Sequence, residues 1–364
     1  MMTEMQGNIF QRAEFDWDKS TVSSLLASFF YGYIITQIPG GWLADRYGGR
    51  LVFGIAMAIS GVSTVLIPVC ARTSVVLVYV ARVIIGIATV HGLELLLPLH
   101  LLAFCVNMVL ITDGGLYSTS QTSKVPWKEM AKSVPLWAII IAHVCANWAN
   151  YTLLTSLPSF MKGVLKFDIQ SNGALSAVPY ICATVISFVS GHSADFFRRK
   201  RILSTTQTRK IYQCVSFIGS AIFLVATGFV PCTQREIAVV FLCISILMSG
   251  FTRVGFAANH VDIAPKYAGI LYGITNTLAT IPGMISPIVA GALTPNDTAE
   301  EWRNVFYVGA AFFVVGAICY GKFASGNIQP WAGDKMEMKD NHSNELNMLQ
   351  HKDESRNCDK KAVG

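Results

Sequence analysis

The chain has 364 residues, a net charge of +6, a hydrophobic share of 52% and only 14% charged residues. Soluble domains carry about 25% charge, so a chain this apolar cannot cover a water-facing surface and must have lipid around it. The small positive excess sits in short loops, where it sets membrane orientation; nothing in it forms a nucleic-acid-binding face.

The N-terminus is acidic and polar through Asp16 and Asp18 and lacks the basic-then-apolar pattern of a signal peptide. Membrane entry is therefore expected through the first apolar helix. A span needs about 20 mainly apolar residues, and only helices or closed barrels satisfy their backbone in lipid. The sequence predicts about ten helices, near 21–40, 51–70, 75–91, 93–112, 135–156, 171–190, 211–230, 237–257, 267–293 and 303–324. Strand-like alternation is missing, which argues against a barrel. Residues 334–364 are charged and polar and read as a disordered cytosolic tail. The expected fold class is an all-α polytopic membrane protein.

Nine cysteines are present, most of them inside apolar runs, as Cys105, Cys145, Cys182 and Cys243 are. No CxxC spacing points to a zinc site or a disulfide framework. No metal, no cofactor and no nucleophile–base pair is indicated, so an enzyme is not expected.

Two segments repeat each other. Residues 41–50 read GWLADRYGGR and residues 191–200 read GHSADFFRRK. Each has a glycine, then Ala-Asp at the same offset, then a basic cluster, and each follows an apolar helix. Read as loops, they let Gly41 and Gly191 bring helix ends close. Asp45 and Asp195 are placed where a helix N-terminus favours negative charge, while Arg46, Arg50 and Arg198 stay in cytosolic water. Such a cluster can latch one conformation and release in another. Internal repeats of helix bundles are how many secondary transporters are built.

The first of these segments resembles the signature between the second and third helices of the major facilitator superfamily. NHVDIAPKYAG at 259–269, GITNT at 273–277 and ATIPG at 279–283 narrow the resemblance. They are similar to the anion:cation symporter branch, which holds sialin, the vesicular glutamate transporters and the type I phosphate cotransporters. SFFYGY at 28–33, TQIPGG at 36–41, VPW at 125–127, NW at 147–148 and YTLL at 151–154 agree, and the resemblance is closer to sialin-like members than to the glutamate carriers. The resemblance covers about 15–90 and 124–332. It implies two pseudo-symmetric helical halves: an incomplete N-terminal bundle over 1–123 and a six-helix bundle over 124–333, with the tail beyond. The family's first helix and recognisable fifth and sixth helices have no counterpart, and 91–123 shows no recognisable resemblance.

Topology points the same way. The basic stretches at 46–50, 124–132 and 198–210 all belong in the cytosol. The helices at 51–70 and 75–91 return the chain there, and a single span at 93–112 would then carry the next lysines to the wrong side. Either that run lies in the interface or re-enters, or the chain is a shortened variant; the shortened variant is the expectation.

Arg82 lies within the apolar run 76–88, where a charge costs about 2.5–3.5 kcal/mol on insertion scales and so faces a cavity or a partner. The resemblance makes it a clamp for a substrate carboxylate, a role that suits a forked, permanently charged guanidinium. Helix-end snorkelling is the plainer alternative. Tyr33 and Tyr151 match cavity tyrosines of the family, or else pack as aromatics. Asn259 and His260 stand near a helix end beside Asp262, and an imidazole can carry a proton near neutral pH. Thr275, Asn276 and Thr277 are polar in a helix that Pro282 and Pro287 are expected to interrupt, as at many mid-membrane sites; helix-to-helix hydrogen bonding is the alternative. Sialin-like carriers place acidic, proton-coupling residues three and seven positions after this arginine, where this chain has Ile85 and Thr89.

Sequons occur at Asn150, Asn296 and Asn341, of which Asn296, in the loop before the last helix, is the expected glycosylation site. The sequence therefore predicts a multi-pass carrier of a small anionic substrate with co-transported H+ or Na+, embedded in membrane lipid. The alternative is a transport-inactive shortened variant that binds ligand or partners, such as a full-length relative. Plasma membrane, vesicle and lysosome are left open.

Overall fold

The computed structural model describes residues 17–47, 49–89, 125–166, 169–231 and 234–333. The expected span at 93–112, the sequon at Asn341 and the tail from 334 lie outside the described residues. Eleven α-helices and two 3-10 turns make up the described chain, with no strand among them. The helices are α1 (Lys19–Tyr47), α2 (Gly49–Thr73), α3 (Val75–Ala88), α4 (Trp127–Lys132), α5 (Val134–Gly163), α6 (Ile169–Arg199), α7 (Thr205–Thr227), α8 (Arg235–Ser249), α9 (Phe256–Ile263), α10 (Ala268–Leu293) and α11 (Ala299–Phe323). Five stretches are long and apolar enough to cross a membrane: Gly54–Thr73, Thr205–Thr227, Arg235–Ile263, Pro265–Leu293 and Ala299–Phe323. α5 is as long, about 45 Å at 1.5 Å per residue, but His143, Asn147, Asn150 and Tyr151 dilute its apolar run.

Three expectations are corrected. The segments 41–50 and 191–200 are not loops: α1 runs to Tyr47, α2 starts at Gly49, and α6 runs to Arg199. Extending a helix into water keeps its backbone bonds internal, the cheapest way to carry polar residues out of lipid. Asp45 and Asp195 consequently lie in the last turns of α1 and α6, at helix C-termini, where the dipole does not favour them. Pro282 and Pro287 do not interrupt their helix either, since α10 is continuous around both. Asn147 Nδ2 donates to Ala279 O at 3.1 Å, beside Leu278, whose carbonyl loses its helical donor to Pro282.

The break occurs elsewhere. The predicted helix 237–257 divides into α8, a 3-10 turn at Gly250–Arg253, and α9. α7 supplies what the interrupted backbone lacks. Gln213 Oε1 accepts from Phe256 N at 3.0 Å, and Arg209 Nη1 donates to Val254 O at 3.0 Å. Further along α7, Ser216 meets Thr252 at 2.8 Å and Ser220 exchanges bonds with Ser245 at 2.8 and 2.9 Å. Positions 209, 213, 216 and 220 form one helical stripe, so a single face of α7 ties the broken element in place.

The core of the second half is built by α5, α7, α10 and α11. Phe217, Phe306, Phe313 and Tyr320 are buried there, and a Cβ at Gly316 would come within 2.6 Å of the Phe217 ring. α1 and α3 cross in the first half at two glycines. A Cβ on Gly32 would lie 2.0 Å from Val83 O, and one on Gly86 would lie 2.0 Å from Phe29 O. Only side-chain-free positions let the two backbones touch, as small-residue membrane crossings require. α2 packs on this pair and exposes Ile55, Ile59, Val62, Val65, Leu66 and Val69, as a lipid-facing helix does.

Candidate functional site

Where α1 meets α5 and α10, the two halves share a buried polar layer. Tyr33 on α1 is fully buried, and its hydroxyl accepts from Asn276 Nδ2 on α10 at 3.0 Å. On α5 the Tyr151 hydroxyl accepts from Asn147 Nδ2 at 3.3 Å. Phe30 closes the layer, 4.5 Å between ring centroids from Tyr151 and lying where a Cβ on Gly283 would have to go.

A second layer lies one turn away on α5. His143 Nδ1 is 3.2 Å from Thr275 Oγ1, and His260 Nε2 is 2.8 Å from the same oxygen. One hydroxyl on α10 thus joins imidazoles from α5 and α9. Phe256 and Tyr272 pack against both rings.

The expected residues divide accordingly. Tyr33, Tyr151, His260, Thr275 and Asn276 come together. Asn259 does not join them: it turns to the Tyr320 hydroxyl on α11 at 2.9 Å, inside the second half. Asp262, one turn on, is paired with Arg209 at 2.5 Å in a two-pronged contact, both side chains nearly buried. Arg82 is half-buried on the stripe of α3 that includes Tyr79 and Gly86 and faces α1, and its Nε is buried with no partner among the described residues. Three residues after it, Ile85 offers no carboxylate, and Thr89 Oγ1 is spent on Ile85 O at 2.7 Å.

At the basic end of the bundle, Asp195 and Arg198 are exposed around a cavity of about 690 Å³ that Arg199, Arg201 and Ser204 also line. Asp195 has no ion pair among the described residues, and Ser204, in a capping box with Gln207, caps α7. Gly41, Asp45, Arg46 and Arg50 lie on the facing ends of α1 and α2; their side chains are outside the description. Asn296 is exposed, its Nδ2 donating to Glu301 Oε1 at 2.9 Å. Among the described residues no cluster of His, Cys, Asp and Glu could hold a metal ion.

Sequence reading missed His143, Asn147, Arg209 and Gln213. A signal for the first two was present: His143, Asn147 and Tyr151 recur every fourth residue in an apolar helix, which places them on one face.

Two helical halves that meet around a buried polar layer fit the repeat architecture of many secondary transporters. The Major Facilitator Superfamily model matches residues 2–93 and 95–287, and the chain belongs to that superfamily, in the sialin-like part of its anion:cation symporter branch. Human sialin is 38% identical over 388 positions, covering 88% of this chain and 78% of sialin. The vesicular glutamate transporter 2 of Bos taurus is 35% identical over 398 positions, covering 89% and 68%. Both matched stretches exceed the 364 residues of this chain, so the relatives carry internal residues that it lacks. Among solved structures, a bacterial homologue of the human lysosomal transporter Spinster superposes with a TM-score of 0.60 at 12% identity, covering 87% of this chain and 92% of that one. The nucleoside transporter NupG gives 0.56 at 13% identity, covering 84% and 90%. The chain is thus a multi-pass membrane protein of a transporter family and not an enzyme.

Proposed function

We propose that this chain is a secondary carrier of a small organic anion, an acidic sugar, an acidic amino acid or phosphate, working by alternating access. The bundles at 1–123 and 124–333 rock about the polar layer between α1, α5 and α10, and H+ or Na+ travels with the substrate. The observation that carries this reading is the buried Nε of Arg82, which has no partner among the described residues. A guanidinium held in an apolar helix without a carboxylate partner among the described residues suits an anion. Tyr33, Tyr151, Asn276 and Asn147 add neutral hydroxyl and amide groups on α1, α5 and α10, suited to oxygens of a carboxylate or phosphate. Relatives named for glutamate transport add support from the family side.

Purified chain in liposomes should accumulate labelled glutamate, acidic sugar or phosphate under an imposed pH or voltage gradient. Uptake equal to that of empty liposomes, by protein shown to be folded, would remove the reading.

The second reading is a transport-inactive binder, alone or with a full-length relative. It is favoured by Ile85 and Thr89 where acidic coupling groups are expected and by the internal residues missing relative to sialin. Anion binding without flux, or co-purification with the relative, would select it. Lysosome, vesicle or plasma membrane as its home is decided by imaging the tagged chain.

A further inference from the structure

We propose that His143, Thr275 and His260 form a proton-binding site in the second half, with His260 holding the proton and Thr275 acting as the switch. The hydrogen bonds close in both protonation states. In the neutral state His260 Nδ1–H donates to Ala257 O at 3.0 Å, which leaves Nε2 as an acceptor. Thr275 then donates its hydroxyl proton to Nε2 at 2.8 Å, and Thr275 Oγ1 accepts from His143 Nδ1–H at 3.2 Å. When a proton arrives at Nε2, that nitrogen becomes a donor to Thr275 Oγ1. The threonine hydroxyl turns to Tyr272 O, already 3.1 Å away, and its oxygen still accepts from His143. Thr275 Oγ1 and both ring nitrogens of His260 keep a partner in either state. That is unusual for a buried network, where a half-satisfied member is costly.

The charged and titratable groups around the two rings can be named. His143 is acted on by the His260 imidazole and, after it, by Arg253 on the 3-10 turn, whose side chain is exposed. Arg209 and Asp262, between α7 and α9, neutralise each other. Tyr272 from α10 packs against both rings, and Tyr320 from α11 is engaged with Asn259. No carboxylate among the described residues pairs with either imidazole, so the added proton stays on nitrogen and is not handed to an acid.

Position ties the site to conformation. Thr275 precedes Asn276, the residue that reaches across to Tyr33 on α1. Rotation of the Thr275 hydroxyl therefore occurs one residue from the contact between the halves. The use of this proton in coupling rests on the carrier reading above; the binding of the proton does not.

The test is nuclear magnetic resonance of the full chain with 15N-labelled histidine in nanodiscs, titrated from about pH 4 to 8. One titrating imidazole that His260→Gln removes is expected, with the His143 resonances following its titration in the parent and not in His260→Gln. Thr275→Val should weaken proton binding about tenfold, the scale of one lost charge-assisted hydrogen bond, while Thr275→Ser should restore it. A His260 ring that keeps one protonation state throughout, or a Thr275→Val protein whose His260 titrates like the parent's, would overturn the site. Anion uptake without these titrations leaves the carrier reading standing and removes the proton site. The titrations without uptake establish the site and remove the carrier reading.

Discussion

The guanidinium of Arg82 offers a planar fork, and lysine in its place would offer a point charge on a flexible stem. If a bound anion is clamped at two oxygens, Arg82→Lys keeps the charge and loses the second contact. Its affinity should fall at least about tenfold, with Arg82→Ala lower still; scintillation-proximity binding reads both. Equal affinity in the Lys variant would show that the site needs only positive charge. Asp262 answers a different question. Its pairing with Arg209 is nearly buried, and removing one partner of such a pair costs about 3–5 kcal/mol, because the other charge is left in a poor environment. Asp262→Asn should lower the unfolding temperature markedly, measured in detergent, and should relax the Arg209 bond to Val254 O that holds the 3-10 turn. An unchanged melting temperature would make this pair dispensable.

Among elements, what could be read from sequence followed the apolar runs. Each run in the described part is a helix because lipid leaves the backbone no other partner. What could not be read depended on neighbours. The division of α8 from α9 needs Gln213 and Arg209 on α7 to satisfy the freed backbone, and no local pattern in 237–257 announces it. The 41–50 and 191–200 segments looked like loops because they are polar, yet polarity only says that they leave the lipid. Asn259 and His260 are adjacent and of similar chemistry, and only tertiary packing sends one to α11 and the other to α10. The α1–α3 crossing gives a paired test of such packing. Gly86→Ala places a Cβ against the Phe29 carbonyl, a backbone atom that cannot step aside, and overpacking of this kind costs about 1–3 kcal/mol. Gly54→Ala on α2 meets nothing within 4 Å and removes a poor helix former, so it should be neutral or stabilising by up to about 1 kcal/mol. Thermal unfolding of the two variants should move in opposite directions; if both fall together, the crossing is not the constraint.

At the scale of the whole molecule, α1 joins the second half among the described residues, and its contacts run from Tyr33 to the end away from the arginines. Tyr33 meets Asn276, Phe30 meets Gly283 and Tyr151, and Ser23 lies where a Cβ on Gly291 would go. Lys19 finishes the series, pairing with Asp297 at 2.7 Å and donating to Thr294 O. The halves are therefore joined at this end, and the alternating access proposed above requires that this row of contacts part. The apolar and small-residue contacts are short-ranged and separate as a unit, whereas the ion pair is a discrete tie. Both partners are about a third exposed, so the tie contributes up to about 1 kcal/mol, and a two-state equilibrium responds to that with a shift of roughly fivefold. Asp297→Asn isolates the charge. Asparagine tolerates the left-handed backbone at this position, where φ is 53°, and its side-chain oxygen can still accept from Trp302 Nε1, now 3.1 Å from Asp297 Oδ1. In a chain carrying Ser23→Cys, this variant should react several-fold faster with a membrane-impermeant maleimide, because the end that α1 closes opens more often. The swap of Lys19→Glu with Asp297→Lys should slow the reaction again by restoring the pair in reverse. Equal labelling in all three proteins would mean that the hydrophobic row alone closes this end, and that the ion pair plays no part in the rocking of the halves.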